Sequence, residues 1–296
     1  MDDAIIIGGS FAGLTAALQF ARTLRKATVL DTGLPRNRFA AHSHGLFGHD
    51  NRTPGEILNI ARQQLAAYPH VRLVNARAVR ASGALDDFTV VLDNGQTLGA
   101  RRLLLSYGRT DHFPDLPGFA ECWGKTVVPC PYCHGYEIAG QHWGLLYHSP
   151  MTLHMPPLYN HWTDRITLFT DGHDLPEGEP QALAKRGVQL VEGKVNAIRH
   201  NGGALTAVEL ADGRAVEIHT LFAHPPSTPS SDVHQSLGVQ TSASPVGEIV
   251  AVDETQQTSV PGVYAAGDIS NPMSSLTVAT HAGAMAAIHT QRSLIV

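Results

Sequence analysis

Ala4-Ile5-Ile6-Ile7-Gly8-Gly9-Ser10-Phe11-Ala12-Gly13 opens the chain and continues through Leu14-Thr15-Ala16-Ala17-Leu18-Gln19-Phe20-Ala21 to Ala27-Thr28-Val29-Leu30-Asp31. The first four residues are a continuous apolar run, the pattern of a parallel strand buried on both faces. Glycines then mark a tight turn, the segment from Leu14 predicts a helix, and the second apolar run ends on an acid. Strand, glycine turn, helix, strand and acid in that order read as a dinucleotide-binding unit. Gly8, Ser10, Phe11, Ala12 and Gly13 are its candidate pyrophosphate contacts, because glycines allow close backbone approach and a helix N-terminus faces the phosphates. Asp31 is the candidate partner of a ribose hydroxyl. Ser10 replaces the middle glycine of the fingerprint with a residue small enough for the turn.

With 296 residues the chain can form two domains of ordinary size. A hydrophobic share of 43% and a charged share of 16% fit a folded globular protein rather than a disordered one. The net charge of -5 leaves no basic footprint for nucleic acid. No apolar run reaches the roughly 18 residues of a membrane span. Met1-Asp2-Asp3 leads straight into the first strand, without the basic start of a signal peptide. Three cysteines are too few for a disulfide scaffold and fit a reducing cytoplasm with one working redox pair.

That pair lies in Cys130-Pro131-Tyr132-Cys133-His134-Gly135-Tyr136-Glu137. The spacing closes a small disulfide ring and tends to lower the pKa of one thiol. It also occurs as half of a zinc site, but zinc needs two further Cys or His ligands at suitable spacing, and none stands nearby. No metal is expected. With an ordinary pKa near 6.5, an imidazole at His134 suits removal of a proton from an incoming thiol at neutral pH. His134 is therefore the candidate general base, against the plainer reading of a solvated loop histidine. Cys122, the third cysteine, reads as a small buried hydrophobe.

Near the other end stands Val260-Pro261-Gly262-Val263-Tyr264-Ala265-Ala266-Gly267-Asp268-Ile269, then an Ala-rich helical stretch from Thr277 to Ala287. With Gly8 to Gly13 before it and the CxxC between, this order resembles the low-molecular-weight thioredoxin reductases over nearly the whole chain. The resemblance implies an α/β protein of two Rossmann-like domains. An FAD domain would be split between residues 1–115 and 246–296, around a smaller NADPH-domain-like insertion at 116–245 that carries the CxxC. Asp115-Leu116-Pro117-Gly118 and Ser244-Pro245-Val246-Gly247 are the candidate hinges. FAD is the implied cofactor, with Gly267 and Asp268 at its ribitol and the helix start at Thr277 and Val278 facing its pyrimidine. His44, in the loop His42 to Asp50, is a further candidate FAD contact, with a Gly-rich surface loop as the competing reading. Cys133 would face the flavin as the charge-transfer thiolate and Cys130 would exchange with substrate. A homodimer is expected from the resemblance.

The chain departs from that family after its strand His142-Trp143-Gly144-Leu145-Leu146. The family carries a second glycine fingerprint there for NADPH. Here Tyr147-His148-Ser149-Pro150 follows, with no glycine and a proline that removes a backbone N–H. At the end of the next strand, Thr170-Asp171-Gly172-His173 replaces a basic cluster for the 2′-phosphate, and Asp171 would repel that group. NADPH is therefore not expected. The resemblance then narrows to the dithiol oxidases of the gliotoxin and holomycin type, which share a Cys-Pro-aromatic-Cys-His-Gly motif and a degraded nucleotide site. It implies oxidation of a small-molecule dithiol, with O2 as the final acceptor. A thioredoxin or other disulfide reductase fed by NADPH or ferredoxin, and a flavin redox sensor, are the alternatives. His224-Pro225-Pro226-Ser227-Thr228-Pro229 reads as a rigid loop at the exit from the inserted domain.

Overall fold

A computed structural model describes residues 1–295. The opening apolar run forms Asp2–Ile7 (β1), parallel to Ala27–Asp31 (β2), which pairs in turn with Val71–Asn75 (β3). Thr97–Leu105 (β6) runs parallel to β1 on its other side. Its first half pairs with Asp87–Leu92 (β5), itself paired with Ala78–Ala84 (β4), and its last three residues pair with Val263–Ala265 (β19). Both chain ends therefore build one seven-stranded sheet.

Alternation along β1 divides the core. Ala4 and Ile6 join the apolar faces of Phe11–Arg22 (α1), Pro54–Leu65 (α2) and Leu276–Arg292 (α8). Ile5 and Ile7 face the opposite side, against Phe88, Val90 and Leu103. A capping box between Thr53 and Glu56, with Pro54 in the first turn, starts α2 where the sequence places a helix.

The inserted domain is a second parallel sheet. Its order is Gln189–Val191 (β11), Ile166–Phe169 (β10), Trp143–Leu146 (β9), Thr220–Phe222 (β15) and Val127–Val128 (β8). Phe119–Cys122 (α3) and the antiparallel strands Val195–Asn201 (β12), Ala204–Leu210 (β13) and Ala215–Glu217 (β14) cover one face. Cys122 is fully buried among them, as expected. Pro156–Tyr159 (α5) and Glu179–Lys185 (α6) cover the other face.

An antiparallel ribbon of Arg109–Asp111 (β7) and Ser227–Pro229 (β16) joins the two domains. Part of the stretch expected as a rigid loop is thus a strand, since pairing with a segment over a hundred residues earlier leaves no local signal. The return crossing also comes earlier than 245. Val233 of Val233–Ser236 (α7) and Val239 pack against Ala78, Ala81 and Phe88 of the larger domain, and Ser236 Oγ accepts from the Ala81 N–H at 3.0 Å. Ser244-Pro245-Val246-Gly247 is not a hinge but the turn between Thr241–Ser244 (β17) and Gly247–Val250 (β18). Pro and Gly mark a reversal of the chain, and a hairpin satisfies that signal as well as a domain crossing does.

Buried Arg109 staples this junction. Its guanidinium donates to Ser227 Oγ at 2.8 Å, to the Ser227 and Val246 carbonyls at 2.6 and 2.9 Å, and to the Glu248 carbonyl at 2.6 Å. A lysine cannot reproduce that planar fan of donors, so carbonyls in the junction lose their partners. Arg109→Lys is expected to destabilise the protein by about 2 kcal/mol, read from the urea midpoint.

Candidate active site

The glycine turn after β1 has the geometry of a nucleotide cradle. Gly8 has φ +112°, and a Cβ there would lie 2.3 Å from the Ser106 carbonyl oxygen. A Cβ at Gly13 would lie 1.8 Å from the Gly8 oxygen, so only glycine lets α1 start this close to the turn. Ser10 occupies the N-cap with extended backbone. Beyond the ends of β2 and β3, a cavity of about 340 Å³ is lined by Asp31, Gly33, Arg62, Leu73, Val74 and Asn75. Asp31 accepts from the Gly33 N–H at 3.1 Å and pairs with Arg62 at 3.0 Å. A cradle that a Cβ would fill, beside a carboxylate-rimmed cavity at the strand ends, fits the adenosine diphosphate half of FAD.

The C-terminal motif closes on this turn. Gly267, at φ +81°, places its missing Cβ position 3.1 Å from the Ala12 Cβ, and a Cβ at Gly283 would lie 2.1 Å from the Ala12 oxygen. Ala12 is thus clasped between α8 and the Gly267 turn. Phe11 turns away, lining an apolar cavity of about 240 Å³ with Leu46 and Ile57. Asp268 pairs with Arg36 Nη1 at 2.9 Å, and Arg36 also grips Asp111 through Nη2 at 2.6 Å. Burial works against the Arg36 charge, but bonding and attraction from Asp111 and Asp268 outweigh it and push its pKa up. Arg36, five residues past Asp31 in the short 3-10 turn Arg36–Phe39, carries no sequence signature of this role. At the head of α8, Ser275 caps the Val278 N–H at 3.1 Å, and Thr277 Oγ1 donates to the Gly45 carbonyl at 2.9 Å. Asp31, Ser10, Gly267, Asp268, Thr277 and Val278 are thus grouped around the turn and the start of α8.

Cys130 caps the single turn Pro131–His134 (α4), and both sulfurs are half-buried. In the reduced pair the stabilising contacts converge on Cys130. The Cys133 thiol donates to its sulfur and the Cys133 and Tyr132 N–H groups add to this against burial, bringing Cys130 down to about 7. The same contact, with burial, pushes Cys133 far up. In the reduced pair these contacts favour the thiolate on Cys130, which lies at the N-terminal end of the turn where the Cys133 and Tyr132 N–H groups point. Burial holds the His134 imidazole below its ordinary value, with Glu137 opposing and His44 assisting. His44 sits between Asp50, at 3.6 Å from Nδ1, and Glu137, at 3.5 Å from Nε2. It therefore joins the larger domain to the CxxC segment, a contact that no spacing in the sequence encodes. Tyr132 stands edge-on to Trp162 yet is 72% exposed. Among the described residues no group of three or more His, Cys, Asp or Glu side chains is placed to hold a metal ion.

The turn after β9 is closed rather than open. Pro150 starts a 3-10 turn to His154, Leu153 enters the core beside Trp143 and Tyr159, and Thr152 Oγ1 meets His148 Nδ1 at 2.9 Å. The helix that follows, α5, is one turn long. His148 and His224 face each other with ring centroids 5.0 Å apart. Burial lowers both, His224 to about 4 with His148 adding to the effect. Asp171 does not stand free, contrary to its expected role of repelling a phosphate. It pairs with Lys194 at 3.0 Å and accepts from the Val195 N–H at 2.9 Å, so much of its charge is spent inside the domain. Among the described residues, no helix is long and apolar enough to cross a membrane.

Residues 164–286 match the family model described as pyridine nucleotide-disulphide oxidoreductase. The thioredoxin reductase tcpT of Claviceps purpurea is 34% identical over 277 residues, covering 90% of this chain and 86% of that one. An oxidoreductase from Agrobacterium tumefaciens superimposes with a TM-score of 0.93 at 38% identity, covering 99% of this chain and 98% of that one. A protein named HlmI gives 0.92 at 34% identity, covering 99% and 92%. With the cradle, the dithiol pair and the split sheet in one order, the chain belongs to the thioredoxin reductase-like flavoprotein disulfide oxidoreductases, an α/β family of two-domain enzymes.

Proposed function

We propose that this flavoprotein is a dithiol oxidase that forms a disulfide in a small-molecule dithiol, without NADPH, and works as a homodimer in the cytoplasm. One observation supports the reading: the CxxC with His134 beside it sits in a domain where a proline-started 3-10 turn, with Leu153 buried in the core, follows β9 in place of a glycine turn. With no glycine turn and a one-turn α5, backbone N–H groups are not presented to a pyrophosphate. Electrons then enter through the thiols. The proposal extends to the likeness with HlmI and with the fungal relatives, whose names alone do not fix a substrate.

In the first step a substrate thiol gives its proton to His134, and its thiolate attacks Cys130 Sγ. The Cys130–Cys133 bond breaks, and Cys133 leaves as a thiolate. His134 passes its proton to the Cys133 thiolate and takes the proton of the second substrate thiol, whose thiolate attacks the substrate sulfur held on Cys130, forming the product disulfide and releasing Cys130 as a thiolate. A Cys130 thiol brought down to about 7 is a good leaving group for that step. FAD, when bound, would supply the two-electron acceptor needed for Cys130 and Cys133 to re-form their disulfide, with O2 as the final oxidant, so that dithiol and oxygen become disulfide and hydrogen peroxide. Asp31, the Gly8–Gly13 turn, Gly267, Asp268 and the start of α8 would hold it.

The test is anaerobic stopped-flow of the yellow protein against NADPH and, separately, dithiothreitol. Bleaching by the dithiol alone, with peroxide released on admitting air, is the expected result. Prompt bleaching by NADPH overturns the proposal and returns the protein to the reductases. His134→Gln is expected to slow bleaching by about 10² to 10⁴-fold. The base works unprotonated and burial lowers its pKa, so the wild-type rate does not change with His134 ionisation above neutrality and falls as pH drops through the lowered pKa. The variant loses this acid limb.

A further inference from the structure

A histidine between two carboxylates joins the domains beside the dithiol pair. His44 belongs to the loop between β2 and α2, and its side chain is 17% exposed. Asp50 holds one ring nitrogen from within the loop, at 3.6 Å, and its carboxylate also accepts from the Gly45 N–H at 2.9 Å. From the other side the Gly45 carbonyl accepts from Thr277 at the head of α8. The ring is thus fixed by the larger domain, and its Nε2 reaches across to Glu137 at 3.5 Å. Glu137 lies three residues after His134, on the turn that follows α4.

We infer that the His44–Glu137 contact is a positioning device for the base: docking of the loop on the inserted domain engages Glu137, so that the strength of His134 as a proton acceptor is tuned by the two domains meeting in this arrangement. The inference rests on the reading of His134 as proton acceptor. A free Glu137 carboxylate would hold a proton on His134 and blunt it as a base. Engaged by His44, the carboxylate is shared and favours a proton on His134 less. The groups facing His134 act in these directions, Glu137 favouring and His44 disfavouring its protonated form, while Asp50 faces His44 from behind. His44 and Glu137 are then positioning residues. The same bridge ties proton transfer to the arrangement in which the dithiol pair meets the larger domain.

The experiment follows dithiothreitol-driven flavin bleaching in the holoenzyme from pH 5 to 9, anaerobically. Rates are taken as ratios to wild type, so that ionisation of the dithiol cancels. Glu137→Gln should move the acid limb to lower pH and His44→Gln to higher pH. Each shift should be about half a unit, a threefold change in rate on the limb. Opposite signs distinguish tuning from damage, since a loosened structure would slow both variants alike. Limbs that stay in place, or move together, overturn the inference. Flavin content is measured for each variant. If His44→Gln sheds its flavin, Glu137→Gln decides alone, and an unmoved or raised limb overturns the idea. A wild-type flavin that dithiothreitol fails to bleach at any pH overturns the reading beneath it as well.

Discussion

Replacing Cys133 by alanine is expected to leave a yellow protein whose flavin dithiols no longer bleach, with the rate down by about 10³-fold or more. A disulfide can be neither closed nor opened with one sulfur, so the chemistry has no partial route through Cys130. Thiolate absorbance near 240 nm provides a second readout. In the reduced wild-type pair Cys130 ionises near 7, chiefly because the Cys133 thiol donates to its sulfur. Alanine removes that donor and leaves burial and two backbone N–H groups. The Cys130 titration should therefore move to higher pH. A Cys130 titration unchanged in the alanine variant would mean that backbone donors alone hold the thiolate. Bleaching at the wild-type rate would place the redox pair elsewhere.

Gly13→Ala is expected to yield colourless protein. The new methyl would lie 1.8 Å from the Gly8 carbonyl oxygen in the turn proposed to cradle the nucleotide, and 2.8 Å from Ser106 Oγ, which donates to that carbonyl. Backbone cannot step aside as a flexible side chain can, so α1 must shift away from the turn. Overpacking of this kind costs about 1–3 kcal/mol, and here the displaced elements are the proposed flavin contacts. Flavin-to-protein absorbance after gel filtration and the thermal midpoint check both parts. Retained flavin would show that the turn can open. Gly33→Ala is the contrast, since nothing lies within 4 Å of a Cβ there and only its φ of +72° opposes the change.

Much of the fold was legible locally. The apolar run at Ala4–Ile7 became β1, Ala27–Leu30 lies within β2, and the helix expected from Thr277 became α8. Each is decided by periodicity and capping within a dozen residues, and by glycines that no other residue could replace. That Cys130, Cys133 and His134 come together is legible for the same reason, because their spacing brings them onto one turn. Order along the chain then identified the family, and residues that break its second fingerprint pointed to a closed turn at Pro150.

Other features depended on distant segments meeting. Ser227–Pro229 became a strand because Arg109–Asp111 lies beside it, and residues 230–245 joined the larger domain because Val233 and Val239 find Phe88 there. Asp171 is paired with Lys194, 23 residues on, and backbone donors of the CxxC turn point at Cys130. Arg36 holds Asp111 and Asp268, and His44 meets Glu137 as well as Asp50 of its own loop; all of these partners except Asp50 lie 75 or more positions away. The sequence by itself determined which segments could be strand, turn or helix and which side chains could do redox chemistry. Tertiary structure alone decided where charges are shared and protons held, because Coulomb and hydrogen-bond energies depend on distances in space that residue spacing does not set.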